Sequence, residues 1–289
     1  MRNNMTELVF ILDRSGSMSG LEDDTIGGFN GMLKKQKAES ENVNVTTVLF
    51  DDQIDVIHDR FPIGIVEPLT EKDYFVRGCT ALLDAVGEAV HKIENVQEHL
   101  PEDYKAGKVI FVITTDGHEN SSKRYSYPQI KKMIEAKKKT GWEFLFLGAN
   151  IDAAGEAEKL GISRNRAVTY ENDREGVALN YAVVGNAVRK AVACEDMSAP
   201  MFDDDWAEEI ADYHEKKKID NTLSPPFHLP EFRRNINGNN NSQNIIQSQN
   251  RNNNQNEDKP IQQLSKTITC PKCHEKSKIK IKDYQITLY

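Results

Sequence analysis

Residues 7–19 read E-L-V-F-I-L-D-R-S-G-S-M-S, from Glu7 to Ser19. The first six form a nearly continuous apolar run. A run without polar alternation is a strand covered on both faces, as in a parallel sheet. Asp13 closes it, and Ser15 and Ser17 follow on a glycine-containing loop. The string has the form D-x-S-x-S. It brings three hard oxygens to one locus at a strand end, a donor set that suits Mg²⁺. By itself the string arises by chance in roughly one chain in ten of this length.

Working outward, the same reading finds the rest of a sheet. Lys108–Thr115 and Trp142–Gly148 are again apolar throughout. Val43–Phe50 and Gln53–Phe61 form a hairpin around Asp51 and Asp52, and the second arm alternates like an edge strand. Ala167–Tyr170 is a last, short strand. Apolar residues at helical spacing mark helices over 21–39, 81–100, 128–140 and 174–194, with Thr80 placed to cap the second. Asp203–Asp205 begins a further helix, 203–218. The order predicts an α/β fold: a doubly wound, Rossmann-like, mostly parallel six-stranded sheet with one antiparallel edge strand.

That topology assembles a site. Ligands in such sheets sit at the carboxyl ends of the strands, where strand order reverses. With the hairpin on one side of the first strand, strand 108–115 lies on the other, so Asp116 falls beside Asp13. Thr80, in the loop Arg77–Leu82, faces the same end. The set Asp13, Ser15, Ser17, Thr80 and Asp116 resembles the complete metal-ion-dependent adhesion site of von Willebrand factor A (vWA) domains. The resemblance covers about residues 5–194 and is nearest to the small cytosolic bacterial type. Cys79 departs from the Gly, Ser or Asn more usual in the family.

The resemblance implies that Asp13, Ser15 and Ser17 hold Mg²⁺ or Mn²⁺, Ser15 and Ser17 directly. Thr80 and Asp116 would do so directly or through water. It also implies a protein-interaction module, not an enzyme, in which a partner's Asp or Glu completes the ion's shell. Two alternatives stand beside it. One is a metal-dependent phosphatase using Asp13, although position 15 is Ser where such enzymes carry a second carboxylate or nucleophile. The other is a nucleic-acid adaptor working through the basic C-terminal end. There is no G-x-x-x-x-G-K-[ST] loop and no G-x-S-x-G elbow. His118 reads as a rim residue, and Gly148–Asp152 as a strand-to-helix turn.

A second motif, Cys270-Pro271-Lys272-Cys273, looks like one knuckle of a zinc ribbon. Structural Zn²⁺ takes four ligands and this pair supplies two. The others could come from a dimer mate, from His274 or His228, or be missing. A C-x-x-C-H haem attachment would need export, and the start shows no signal-peptide core.

The 289 residues carry a formal charge of −8, with 38% hydrophobic residues and a mean hydropathy of −0.62. Counted along the chain, residues 1–100 hold 9 basic and 18 acidic groups, and the rest of the chain is near neutral. Asp13, Glu22, Asp23 and Asp24 belong to that acidic third and favour cation arrival, and its charge disfavours nucleic acid. No apolar run reaches the roughly 18 residues of a membrane span. Four cysteines make no disulfide framework, and Cys194 reads as a free or structural thiol, which points to the cytoplasm. The expected domains are the vWA-like unit 5–194 and an acidic, Pro-containing extension 195–234. An Asn/Gln-rich disordered linker 235–258 and a zinc-ribbon-like half module 266–289 complete the chain. In the linker, 15 of the 23 residues from 235 to 257 are Asn or Gln, too polar to offset the entropy of ordering. Lys137–Lys139 and Lys216–Lys218 read as solvated helix faces.

Overall fold

Every residue of the strand that ends at Asp13 is buried. The computed structural model describes residues 4–39, 41–194, 196 and 199–223, with side chains to 220, and the backbone of 265–269, 276–282 and 285–288. The first unit runs β1 (Thr6–Asp13), α1 (Glu22–Glu39), β2 (Val43–Phe50), β3 (Ile54–Pro62), α2 (Leu82–His99) and β4 (Lys108–Thr115). It continues with α3 (Tyr127–Lys138), β5 (Glu143–Ala149), α4 (Ala153–Leu160), β6 (Ala167–Tyr170), α5 (Arg174–Ala193) and α6 (Glu208–Leu223).

The six strands pair in the order β3-β2-β1-β4-β5-β6. All neighbours are parallel except β2 and β3, so β3 is the antiparallel edge strand the sequence predicts. β1 is central, and its side chains alternate between the two faces. Leu8, Phe10 and Leu12 enter one core with Phe29 and Met32 of α1 and Val184 and Val188 of α5. Val9 and Ile11 enter the other with Val86 and Val90 of α2, Ile130 and Ile134 of α3, and Ala157 of α4. Burying each such side chain contributes about 1.5–3 kcal/mol. The two layers hold β1 rigidly and fix where Asp13 emerges.

Two helix starts differ from the sequence expectation. α2 begins at Leu82 with Ala81 at its N-cap, and no side chain caps it there. Thr80 is turned away, and its hydroxyl donates to Ser15. The first amides of α2 go instead to Glu119 (3.0 Å from Leu83 N) and Ser122 (3.1 Å from Asp84 N). α6 begins at Glu208, later than the acidic run 203–205 suggests. Its approach is fixed by packing: Phe202, Ala207 and Ile210 are buried in the first core, and Trp206 Nε1 donates to Asn165 O at 2.9 Å.

The second unit, from Leu223 onward, contains a three-stranded antiparallel sheet of β7 (Ser265–Thr269), β8 (Lys276–Lys282) and β9 (Gln285–Leu288). Cys270, Cys273 and the Asn/Gln-rich linker lie outside the described residues.

Candidate metal centre

β1 and β4 are paired in register, Leu12 opposite Thr114, so both chains leave the sheet side by side. The five residues singled out from the sequence meet there. Thr80 Oγ1 donates to Ser15 Oγ (3.1 Å), Ser15 and Ser17 share a hydroxyl contact (3.1 Å), and Ser17 Oγ donates to Asp116 Oδ1. Asp13 is held by Ser15 N at 2.7 Å on Oδ1 and by Thr115 Oγ1 at 2.6 Å on Oδ2. Asp13 and Asp116 are each 2% exposed.

Burial governs their electrostatics. It raises the Asp13 carboxyl to about 6, against hydrogen bonds from Thr115 and Ser15 that pull the other way. Burial also raises Asp116, against its bonds from Ser17 and Asn172. Among the described residues, neither carboxylate has a Lys, Arg or His within ion-pair range. Two buried acids therefore face one another with only hydroxyls and amides to quiet them, an arrangement that disfavours both charges until a cation arrives.

The residues fit a hard divalent ion. All side-chain donors of the set are oxygens, the choice of Mg²⁺ and Mn²⁺ over softer metals. No group of three or more His, Cys, Asp or Glu among the described residues is placed to hold a metal, so a site here must mix carboxylates with hydroxyls. Gly117 keeps the space open: a Cβ there would stand 3.3 Å from both Ser17 Oγ and Thr80 Oγ1. Asp13, Ser15, Ser17, Thr80 and Asp116 are the residues that would hold the ion.

Several supporting residues were not legible beforehand. Thr115 carries the second hydrogen bond to Asp13, and buried Tyr74 donates to the Asp13 carbonyl at 2.6 Å. Asn120 clasps Thr80 from both ends: Thr80 N donates to Asn120 Oδ1 (2.9 Å), and Asn120 N donates to Thr80 O (3.0 Å). Asn172 Nδ2 donates to Asp116 Oδ2 at 3.2 Å. The polar character of each is visible in the sequence, but its partner is set by strand order.

Immediately beside the site the charges are fully paired. Arg14 Nε donates to Asp51 Oδ2 (3.0 Å) and Arg14 Nη2 to Asp55. Arg77 reaches the same two acids, Asp51 at 2.5 Å and Asp55 at 3.1 Å. The Phe75 ring lies 5.4 Å from the Arg14 guanidinium and 5.1 Å from that of Arg77, within cation–π range. Backbone bonds knit the loops together: Gly16 N to Gly78 O, Arg77 N to Arg14 O, and Ala81 N to Asp51 O. Gly78 sits at φ +68°, and a Cβ there would strike Asp52. His118 is exposed on the rim.

Solved structures with the same architecture bear on the fold. The vWF domain of the type V pili tip protein Mfa5 from Porphyromonas gingivalis aligns with a TM-score of 0.50 at 11% identity, over 66% of this chain and 97% of that one. The fold is vWA-like. Proximal thread matrix protein 1 of the mussel byssus aligns at 0.45 and 14% identity, over 65% of this chain and 48% of its own. The D319A mutant of the PilB minor pilin from Streptococcus sanguinis also aligns at 0.45 and 14%, over 64% and 61%. This chain thus spans about half the length of the mussel protein, which has also been solved with a zinc-occupied MIDAS motif. No protein-family model matches the chain, and no curated protein matches it.

Proposed function

We propose that the chain is a protein-interaction module. Its centre takes Mg²⁺ or Mn²⁺ on Asp13, Ser15, Ser17, Thr80 and Asp116, and a partner's Asp or Glu docks there. The observation that carries this reading is the pair of buried carboxylates without a cationic partner among the described residues, ringed by hydroxyls. Bound there, the ion supplies positive charge that accepts an oxygen from outside. The chain's own residues do the rest. Thr115 and Ser15 N orient Asp13, Ser17 and Asn172 orient Asp116, and Asn120 fixes Thr80. Glu22, Asp23 and Asp24 in the first turn of α1 draw cations toward this end.

Binding rather than catalysis is favoured by what surrounds Ser15. Its hydroxyl is shared with Ser17 and Thr80, neither of which is a base, and His118 points to the rim. A cytosolic setting is favoured by Cys79 and Cys194, which form no disulfide among the described residues. Among the described residues, no helix is long and apolar enough to cross a membrane.

Calorimetry with Mg²⁺ and Mn²⁺ tests the centre. The wild-type chain should bind one ion, and Asp13→Ala should not; equal binding by the variant would sink the assignment. Pull-downs with and without EDTA test the partner, and EDTA-sensitive capture is expected. Turnover of generic phosphoesters that is lost in Asp13→Asn would replace this reading with an enzymatic one.

A further inference from the structure

Asn172 lies between β6 and α5, far in sequence from the motif, and reaches Asp116. Its other amide atom, Oδ1, is buried and has no hydrogen-bond partner among the described residues. The side-chain hydrogen bond of Asn172 among the described residues goes to the Asp116 carboxylate, so that bond bears on the metal centre.

The residues around Asn172 are tied to α6. His214 Nδ1 pairs with Glu171 Oε1 at 2.5 Å, and Lys217 Nζ lies 3.0 Å from Asp173 Oδ2. Tyr213 OH donates to Glu175 Oε2 at 2.7 Å. Residues 213, 214 and 217 fall on one side of the helix, so three neighbours on α6 grip Glu171 and Asp173 of the loop and Glu175 in the first turn of α5. Asp173 also caps α5, accepting from Gly176 N at 2.7 Å. A lone surface pair is worth little, but a network anchored at several points holds a segment in place. Asn172 is the one residue between these anchors that faces the metal centre.

We propose that Asn172 is a positioning residue for Asp116, and that α6 holds it there as a strap across residues 171–175, the loop and first turn of α5. Ion affinity at the centre then depends on whether α6 is seated. This rests on the ion-binding reading above. The strap residues touch no member of the ligand set, so their effect on the ion must pass through the loop.

The test uses the full chain, with Mn²⁺ titrated by calorimetry and the thermal midpoint taken separately in EDTA. Asn172→Ala should weaken Mn²⁺ binding about 10-fold, the usual scale for a residue that orients a ligand. Tyr213→Phe with Lys217→Ala should weaken it about 3-fold, a modest coupling of one region to another. Adding those two changes to Asn172→Ala should cost nothing further, because both act through the same amide. A purely structural role would lower the EDTA midpoint and leave Mn²⁺ affinity alone.

Wild-type affinity in Asn172→Ala, alongside lost binding in Asp13→Ala, would overturn the positioning role while sparing the ion site. Additive losses would overturn the strap. Should Asn172→Ala fail to fold, unchanged affinity in the α6 variant overturns the proposal. Undiminished binding by Asp13→Ala would remove the ion site and this proposal with it.

Discussion

Asp51 and Asp55 share two arginines; Asp13 and Asp116 share none among the described residues. The two pairs lie at the same end of the sheet, and Asp13 and Arg14 are adjacent in the chain. Arg14 is almost wholly buried and turns toward Asp51, whereas Asp13 turns toward β4. Asp55 is consequently held below the usual carboxylate range, first by its bond from Arg14, while burial lifts Asp13 to about 6. One pair carries its counter-charge in the sequence and serves to close loops. The other is built without one, and its acids stay uncomfortable until something arrives.

The sharpest way to break this comparison is to exchange the fates of the two pairs. Asp51→Ala leaves the buried Arg14 guanidinium without its one fully buried acid, and should cost about 3–5 kcal/mol of stability by chemical denaturation. Asp13→Ala should cost little stability in EDTA and abolish Mn²⁺ binding. If both variants are equally unstable, the distinction between a structural pair and a receptive pair falls.

Protonation offers the next largest effect. The folded-state Asp13 pKa lies above its unfolded value of about 3.8, so the folded chain binds more protons between those values. Its burial therefore weighs against folding at neutral pH, and the penalty is relieved as pH falls through 6 toward 4. In EDTA at pH 7.5, Asp13→Asn should gain up to about 3 kcal/mol, two pH units at roughly 1.4 kcal/mol each. That gain should vanish near pH 4. A pH-independent difference would mean Asp13 is not desolvated as described.

Smaller effects sharpen the contrast. Gly117→Ala places a methyl 3.3 Å from two hydroxyls of the centre; Mn²⁺ affinity should drop several-fold, about 1 kcal/mol, with the EDTA midpoint held. Asp55→Asn should matter least. Its side chain is 47% exposed, and screening limits such a pair to about 1 kcal/mol or below.

The strands and the five-residue set were legible because both depend on local pattern. Apolar runs revealed β1, β4 and β5, and the strand-order rule then placed Asp116 beside Asp13. Thr80 was found for a partly mistaken reason. It lies before a helix, as a cap would, but its hydroxyl serves Ser15 and leaves the helix amides to Glu119 and Ser122. Asn120, Asn172 and Tyr74 had no such signal. Each acts across more than 35 residues of sequence, and nothing beside it in the chain names its partner. The start of α6 was displaced because three acids resemble a first helical turn, while Phe202 and Ala207 dictate where the segment packs.

β1 lies at the middle of the sheet, and that position also sets a schedule. Asp13 leaves the ribosome 103 residues before Asp116, which at about 5–20 residues per second is a wait of some 5–20 s. Asn172 and the grip of α6 come later still. During synthesis the first carboxylate of the proposed centre thus precedes its partner strand, and the proposed ion site is a late product of translation.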